Sequence, residues 1–219
     1  MAGKVFSGEK KLAKAGDMLA EDAPLDVRGK DHPWVSRGGI KLDHGLTHFG
    51  FDVTNAVALD VGSSTGGFTD VLLTRGAARV YTVDVGTNQL AWQLRQDPRV
   101  VVNEQTNARF LTEEQIPEPV DIVVCDASFI SLAKVLEAAL RLAKAGGKLV
   151  ALVKPQFEAG REEVGKGGVV RDPMVHERVC TQAKGWVETQ GWTALGVTES
   201  PIKGAEGNVE FLLGAVKNG

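Results

Sequence analysis

The sequence has little from which to build a disulfide-held or membrane-spanning protein. Its 219 residues include only two cysteines, Cys125 and Cys180, too few for a disulfide framework. No apolar run approaches the roughly 18 residues that a membrane-spanning helix needs. The first 16 residues are polar and carry four lysines against one acid. No apolar signal segment opens the chain, and a reduced, cytoplasmic setting is expected. An excess of positive charge is also lacking. The net charge of −3 argues weakly against a nucleic-acid partner, although a local basic face would still bind phosphates. Metal-ligand spacing is absent: His44 and His48 stand four apart with no third ligand, and His32 and His176 are isolated, so no metal is expected. Neither an internal repeat nor a G-x-S-x-G nucleophile elbow occurs.

What is present is enough apolar content for a core. Hydrophobic residues make up 43% of the chain and mean hydropathy is −0.07, which fits one ordinary domain with room for an appendage. Residues 1–30 read as a small separate piece ending in a short strand at Pro24–Val27, and residues 31–36 as a linker. Strands then alternate with helices. Apolar runs predict strands at Ala56–Val61, Val80–Val85, Val100–Val102, Val120–Asp126 and Lys148–Val153. Helices are predicted at Gly67–Arg75, at Gln89–Gln96, at Ile130–Ala145 (closed by Gly146-Gly147), and from an Asp172 cap with Pro173 to about Gln190. Trp192–Val197 and Val209–Val216 read as a late antiparallel pair. This order predicts an α/β fold: a Rossmann-like, mostly parallel sheet with helices on both faces and an antiparallel C-terminal strand, an addition that class I methyltransferases carry.

Ligands of such sheets bind beyond the carboxyl ends of the strands. The first strand there leads into Asp60-Val61-Gly62-Ser63-Ser64-Thr65-Gly66-Gly67-Phe68, a loop whose glycines admit close backbone approach. A P-loop would need Lys-Ser/Thr after the last glycine; Phe68-Thr69 stands there instead. A nicotinamide fingerprint would need glycine at Ser64, where the pyrophosphate is admitted. An adenosyl cofactor without phosphates tolerates this loop, with Asp60 facing its cationic methionine end. Asp84 follows Asp60 by 24 residues, where an acid takes both ribose hydroxyls. Asn107 stands where an adenine contact is expected, and Asp126 points into the same crevice. S-adenosylmethionine is therefore the expected cofactor, bound by Asp60, Gly62, Ser63, Thr65, Gly66, Gly67, Phe68, Asp84, Asn107 and Asp126. Each acid taken singly is equally readable as a helix cap or a surface charge.

Lys154 closes an apolar strand before Pro155, an uncommon place for a charge unless it is paired. Glu210 is read inside the last strand, and Lys41 in a helix capping the sheet. The segments SRGGIKL (36–42), LDVGSSTGGFTDVLL (59–73), TVDVG (82–86), DIVVCDASFISL (121–132), VALVKPQFEAGR (150–161) and GNVEFLL (207–213) resemble the FtsJ-like rRNA ribose 2′-O-methyltransferases, most closely their TlyA, or hemolysin-A-type, branch. The resemblance covers about residues 31–216. It implies an FtsJ-like methyltransferase domain over 37–219, rRNA or ribosomal subunits as partner, and a Lys-Asp-Lys-Glu tetrad at Lys41, Asp126, Lys154 and Glu210. Lys154 would accept or polarise the 2′-hydroxyl proton and Asp126 would hold Lys154. Lys41 and Glu210 would orient the ribose and balance charge. A lysine base near pH 7.5 needs a pKa drop of about 3 units, roughly 4 kcal/mol. Desolvation and Lys41 push that way, while two carboxylates push the other, so both roles of Lys154 stay open.

Branch members usually begin with a small S-four-like RNA-binding module, and residues 2–27 resemble only its second half. Its basic first helices have no counterpart in these residues, which leaves independent RNA affinity an open question. The loop from Gln156 to Arg171, with Arg161, Lys166 and Arg171, reads either as a lid on RNA phosphates or as a solvated surface loop. Three rival functions stand. Asp126-Ala127-Ser128-Phe129 faintly resembles the Asp-Pro-Pro-Tyr motif of nucleobase amino methyltransferases. The branch name suggests a membrane-active hemolysin, and a fold kept without catalysis would leave an RNA-binding protein.

Overall fold

A computed structural model describes residues 5–12, 18–20, 22–27 and 32–219. The remaining front-end positions, among them much of the half-module and Asp31 of the linker, lie outside the described residues. The chain divides into two units, Met1–Pro33 and Trp34–Gly219. In the first, β1 (Val5–Ser7) pairs antiparallel with β2 (Lys10–Lys11) and with β3 (Asp26–Val27).

The second unit runs α1 (Gly38–His48), β4 (Val57–Val61), α2 (Gly67–Thr74), β5 (Arg79–Val83), α3 (Trp92–Arg95), β6 (Val100–Asn103), β7 (Val120–Cys125), α4 (Leu132–Arg141), β8 (Ala143–Val153), α5 (Pro155–Glu158), α6 (Pro173–Thr189), β9 (Trp192–Glu199) and β10 (Phe211–Lys217). Its seven strands lie in the order β6-β5-β4-β7-β8-β10-β9. The first five are parallel, and β10 is antiparallel to both neighbours. Side chains alternate across a strand, and each face has its own core. Leu59, Val123, Cys125, Leu149, Ala151 and Leu213 pack with α4 and α6. Ala58, Ile122, Val124, Val150 and Leu212 pack with α1 and α2. The sheet is thus mostly parallel and covered by helices on both sides. Among the described residues no helix is long and apolar enough to cross a membrane.

Several boundaries differ from the sequence reading, and the larger helix shifts each follow a distant partner. The helix expected through Ala145 ends at Arg141, since Lys217 on β10 donates to the carbonyls of Leu140, Arg141 and Ala143 at 3.1, 3.3 and 2.7 Å. A cation on free helix carbonyls is a favourable terminus, and the next residues join β8. The helix expected from Gln89 starts at Trp92, because Ala91 N donates instead to Thr65 O in the Gly-rich loop, at 3.1 Å. Glu210 precedes β10 rather than lying within it, although its carbonyl still accepts from Ser200 N at 2.8 Å. The Asp172 cap stands as expected, with its carboxylate accepting from Met174 N at 2.9 Å.

Candidate active site

The parallel strands all end on one side of the sheet, and the loops after them enclose two adjoining recesses of about 400 and 490 Å3. Gly62, Ser64, Asp126, Ser128 and Phe129 line both. Each recess is of the size that takes a small organic ligand.

The loop after β4 forms the shared wall. Gly62 has φ +80, and a Cβ there would lie 2.8 Å from Ala127 Cα. A Cβ on Gly67 would run into Ser36 Oγ and stand 2.9 Å from Gly39 N. Bare backbone is therefore obligatory at both positions, and the loop presses against α1 and against the end of β7. Ser63, Thr65, Gly67 and Phe68 line the first recess, whereas Gly66 is packed against Leu90 and Leu94. In the second recess Asp84 accepts from Ser64 N and Gly86 N, both at 2.8 Å. A carboxylate has about four lone-pair positions, so acceptor capacity remains. Asn107 lines the same recess and also caps the turn Ala108–Phe110, accepting from Arg109 N at 3.1 Å. The glycine cradle with an acid and an amide beside it fits an adenosyl ligand.

Asp60 lines neither recess. It lies on the α1/α2 side of β4, fully buried, with Oδ2 accepting from Thr69 Oγ1 at 2.6 Å. Its Oδ1 is buried with no hydrogen-bond partner among the described residues. Burial, opposed by the Thr69 bond and assisted by the charge of Asp126, pushes its carboxyl up to about 7. Unfolded, the group titrates near 3.8, so the folded state binds the extra proton between these values. Stability should then fall as pH rises from about 4 to about 7, by roughly 4 kcal/mol from this group at 1.36 kcal/mol per unit. Asp60→Asn should abolish that part of the slope. Urea unfolding at pH 4.5 and pH 8 checks it, and parallel losses in variant and wild type would refute it.

Four charged side chains converge on the first recess as two ion pairs. Lys154, next after β8, lies 2.6 Å from Asp126 Oδ1, next after β7. Its Nζ also donates to Ser128 Oγ at 2.8 Å and to Asp126 O at 3.2 Å. Lys41 on α1 meets Glu210 at 2.5 Å, with the two side chains only 11% and 3% exposed. Gly204 closes over Glu210, and a Cβ there would collide with Oε1. The sequence reading missed Ser36, Ser128 and Gly204. Ser128 had a signal, since it follows Asp126 by two positions beyond a strand end; Ser36 and Gly204 act only through packing.

The stretch 156–171 is more ordered than a plain loop. It includes most of α5, then a short turn and a hairpin closed between Gly165 and Val169. Asn208 pins it, donating to Gly168 O at 3.0 Å and accepting from Val170 N at 3.1 Å. Glu163 clasps Arg178 at 2.5 Å, and Glu158 accepts from Leu132 N at 2.7 Å. Gln156 and Phe157 line the first recess, while Arg161, Lys166 and Arg171 are exposed. Among the described residues no group of three His, Cys, Asp or Glu side chains gathers as metal ligands.

Residues 34–217 match the FtsJ-like methyltransferase family. The chain is 48% identical to the 16S/23S rRNA (cytidine-2′-O)-methyltransferase TlyA of Mycobacterium tuberculosis, over 97% of this chain and 80% of that protein. The structure of a hemolysin-named protein from Streptococcus thermophilus is 42% identical and covers 100% of this chain and 80% of its own, with TM-score 0.88. Magnesium protoporphyrin IX methyltransferase from Synechocystis with bound SAH, 12% identical over 83% of each chain at TM-score 0.56, shares the fold.

Proposed function

The chain belongs to the FtsJ-like methyltransferase family, and we propose that it transfers the methyl group of S-adenosylmethionine to a ribose 2′-hydroxyl of ribosomal RNA in the cytoplasm. The observation that carries this reading is the pair of ion pairs, Lys154–Asp126 and Lys41–Glu210, along one recess that adjoins the glycine-walled recess of Asp84. The relative with 48% identity bears the name of an rRNA cytidine 2′-O-methyltransferase, which favours ribosomal RNA as substrate.

The cofactor, when bound, supplies an electrophilic methyl group on a sulfonium. Asp84 holds its ribose hydroxyls, Asn107 its adenine side, and Gly62, Ser63, Thr65, Gly67 and Phe68 the wall between donor and acceptor. Gly66 and Asp60 support that wall from behind. A ribose hydroxyl is a poor nucleophile until its proton is withdrawn. Lys154 takes or holds that proton, Asp126 aims Lys154, and Lys41 with Glu210 positions the acceptor ribose. The front unit serves as a partial S-four-like RNA-binding module.

Asp84→Ala should weaken cofactor binding about tenfold to a hundredfold, the value of one or two hydrogen bonds to a charged group. Calorimetric titration with S-adenosylmethionine measures this, and affinity equal to wild type removes Asp84 from the site. The function itself is tested by methylating ribosomal subunits with a labelled donor and mapping the label. Label on ribose supports the reading. Label on a base amine favours the amino-methyltransferase alternative, and failure to bind the donor favours an RNA-binding role alone.

A further inference from the structure

Lys154 is held more completely than its ion pair requires. An ammonium has three N–H donors, and three oxygens face Nζ: it donates to Ser128 Oγ at 2.8 Å and to Asp126 O at 3.2 Å, while Asp126 Oδ1, 2.6 Å away, pairs with it by charge without hydrogen-bond geometry. The carboxylate and the carbonyl only accept. A hydroxyl both accepts and donates, and it rotates to suit. Ser128 alone among the three can therefore follow Lys154 through loss of a proton, accepting from the ammonium and donating to the free amine. Ser128 is also placed for exchange. It is exposed and lines both recesses, whereas the Lys154 side chain is 7% exposed.

We propose that Ser128 is a positioning and relay residue for Lys154, through which the lysine reaches its proton-accepting state. This rests on the reading of Lys154 as the group that takes the 2′-hydroxyl proton. In the preparatory step one N–H bond of the ammonium breaks and its proton passes to Ser128 Oγ. The original Ser128 O–H bond breaks in turn and its proton goes to a solvent water. Nζ is left with a lone pair facing the new serine O–H. The arriving 2′-hydroxyl displaces that O–H and donates to Nζ in its place. Around Lys154, Asp126 lies beside it, and Lys41, Glu210, Arg37 and Lys203 line the same recess from α1 and from the segment before β10. Behind it is the buried Cys125 thiol, pushed up to about 12 by burial and partly opposed by the charge of Lys154.

Ser128→Ala removes the acceptor of a charge-assisted bond, so the ammonium loses more than the free amine does. The pH at which Lys154 becomes reactive towards an acylating agent should then fall. The rate of Lys154 acylation by acetic anhydride against pH, read by mass spectrometry on the full chain without cofactor, gives that midpoint. Turnover on ribosomal subunits at saturating cofactor should fall about tenfold in Ser128→Ala, less than the roughly 10²- to 10⁴-fold owed to a group that itself takes the proton. Ser128→Thr keeps the hydroxyl and should restore both midpoint and turnover. An unshifted acylation midpoint in Ser128→Ala, or a threonine variant that restores neither, overturns the relay. If the wild-type chain methylates no ribose, the function reading fails, and the acylation midpoint still judges the Ser128 contact separately.

Discussion

Lys154→Ala is expected to lower single-turnover ribose methylation by about 10²- to 10⁴-fold, the share that a positioned acid–base group supplies. The measurement is made at saturating cofactor, because Asp126 and Ser128, the partners of Lys154, also line the recess of Asp84. The loss in stability should be modest. Asp126, left without its partner, is 22% exposed and can be solvated from the recess. Lys154→Arg separates the two roles that the lysine is able to play. A guanidinium keeps the charge but does not release a proton near neutrality. If Lys154 acts by taking the proton, the arginine variant should be as inactive as the alanine one. If it acts by charge alone, the arginine variant should keep a measurable part of the rate. Near wild-type turnover in Lys154→Ala would remove the residue from the reaction altogether.

Lys41→Met should have the opposite signature, a large loss of stability along with a loss of transfer. Glu210 is 3% exposed, Gly204 closes over its carboxylate, and Lys41 is its partner at 2.5 Å. Breaking a buried ion pair from one side leaves an uncompensated charge and costs about 3–5 kcal/mol. In a chain of this size that corresponds to a fall of about 10 °C in melting temperature. The double variant Lys41→Met with Glu210→Leu removes both charges. It should recover most of the stability, since apolar residues of similar volume often replace buried ion pairs without cost. Transfer should stay absent, because neither group is left to hold the ribose. Calorimetric melting of the single and double variants, beside single-turnover assays, checks both statements. A double variant as unstable as Lys41→Met would show that the pair contributes packing rather than charge balance.

The two pairs differ in exposure along the same recess. The half-open pair, Lys154–Asp126, lies beside the exposed Ser128. The closed pair, Lys41–Glu210, links α1 to the entry of β10 and fixes the wall against which an acceptor would rest. Asp84, Asp126 and Lys154 were legible from the residue pattern itself, for a common reason, whereas Lys41 and Glu210 were placed by the family resemblance. A charged residue at the end of an apolar run cannot be explained by the core, so it stands out. Asp84, Asp126 and Lys154 each immediately follow a buried strand, and the strand pattern alone puts them on one side of the sheet. Ser36 and Gly204 were not legible. Their importance lies in distances to Gly67 and Glu210, more than 30 positions away in the first case, and no local pattern records such an approach.

The sequence by itself determined the parallel sheet, the glycine wall and the residue types at the strand ends. These depend on period, on backbone freedom and on the cost of burying charge, all of which are local. Only the tertiary structure decided where elements stop and how charges pair. Lys217, arriving from β10, ended α4 four residues early. Packing of α2 on β4 left Asp60 bonded to Thr69, beneath the loop it was expected to serve. The antiparallel return of β10 brought Glu210 back to Lys41 across 169 positions. Such choices rest on contacts between distant segments, and their energy exists only once the chain has closed.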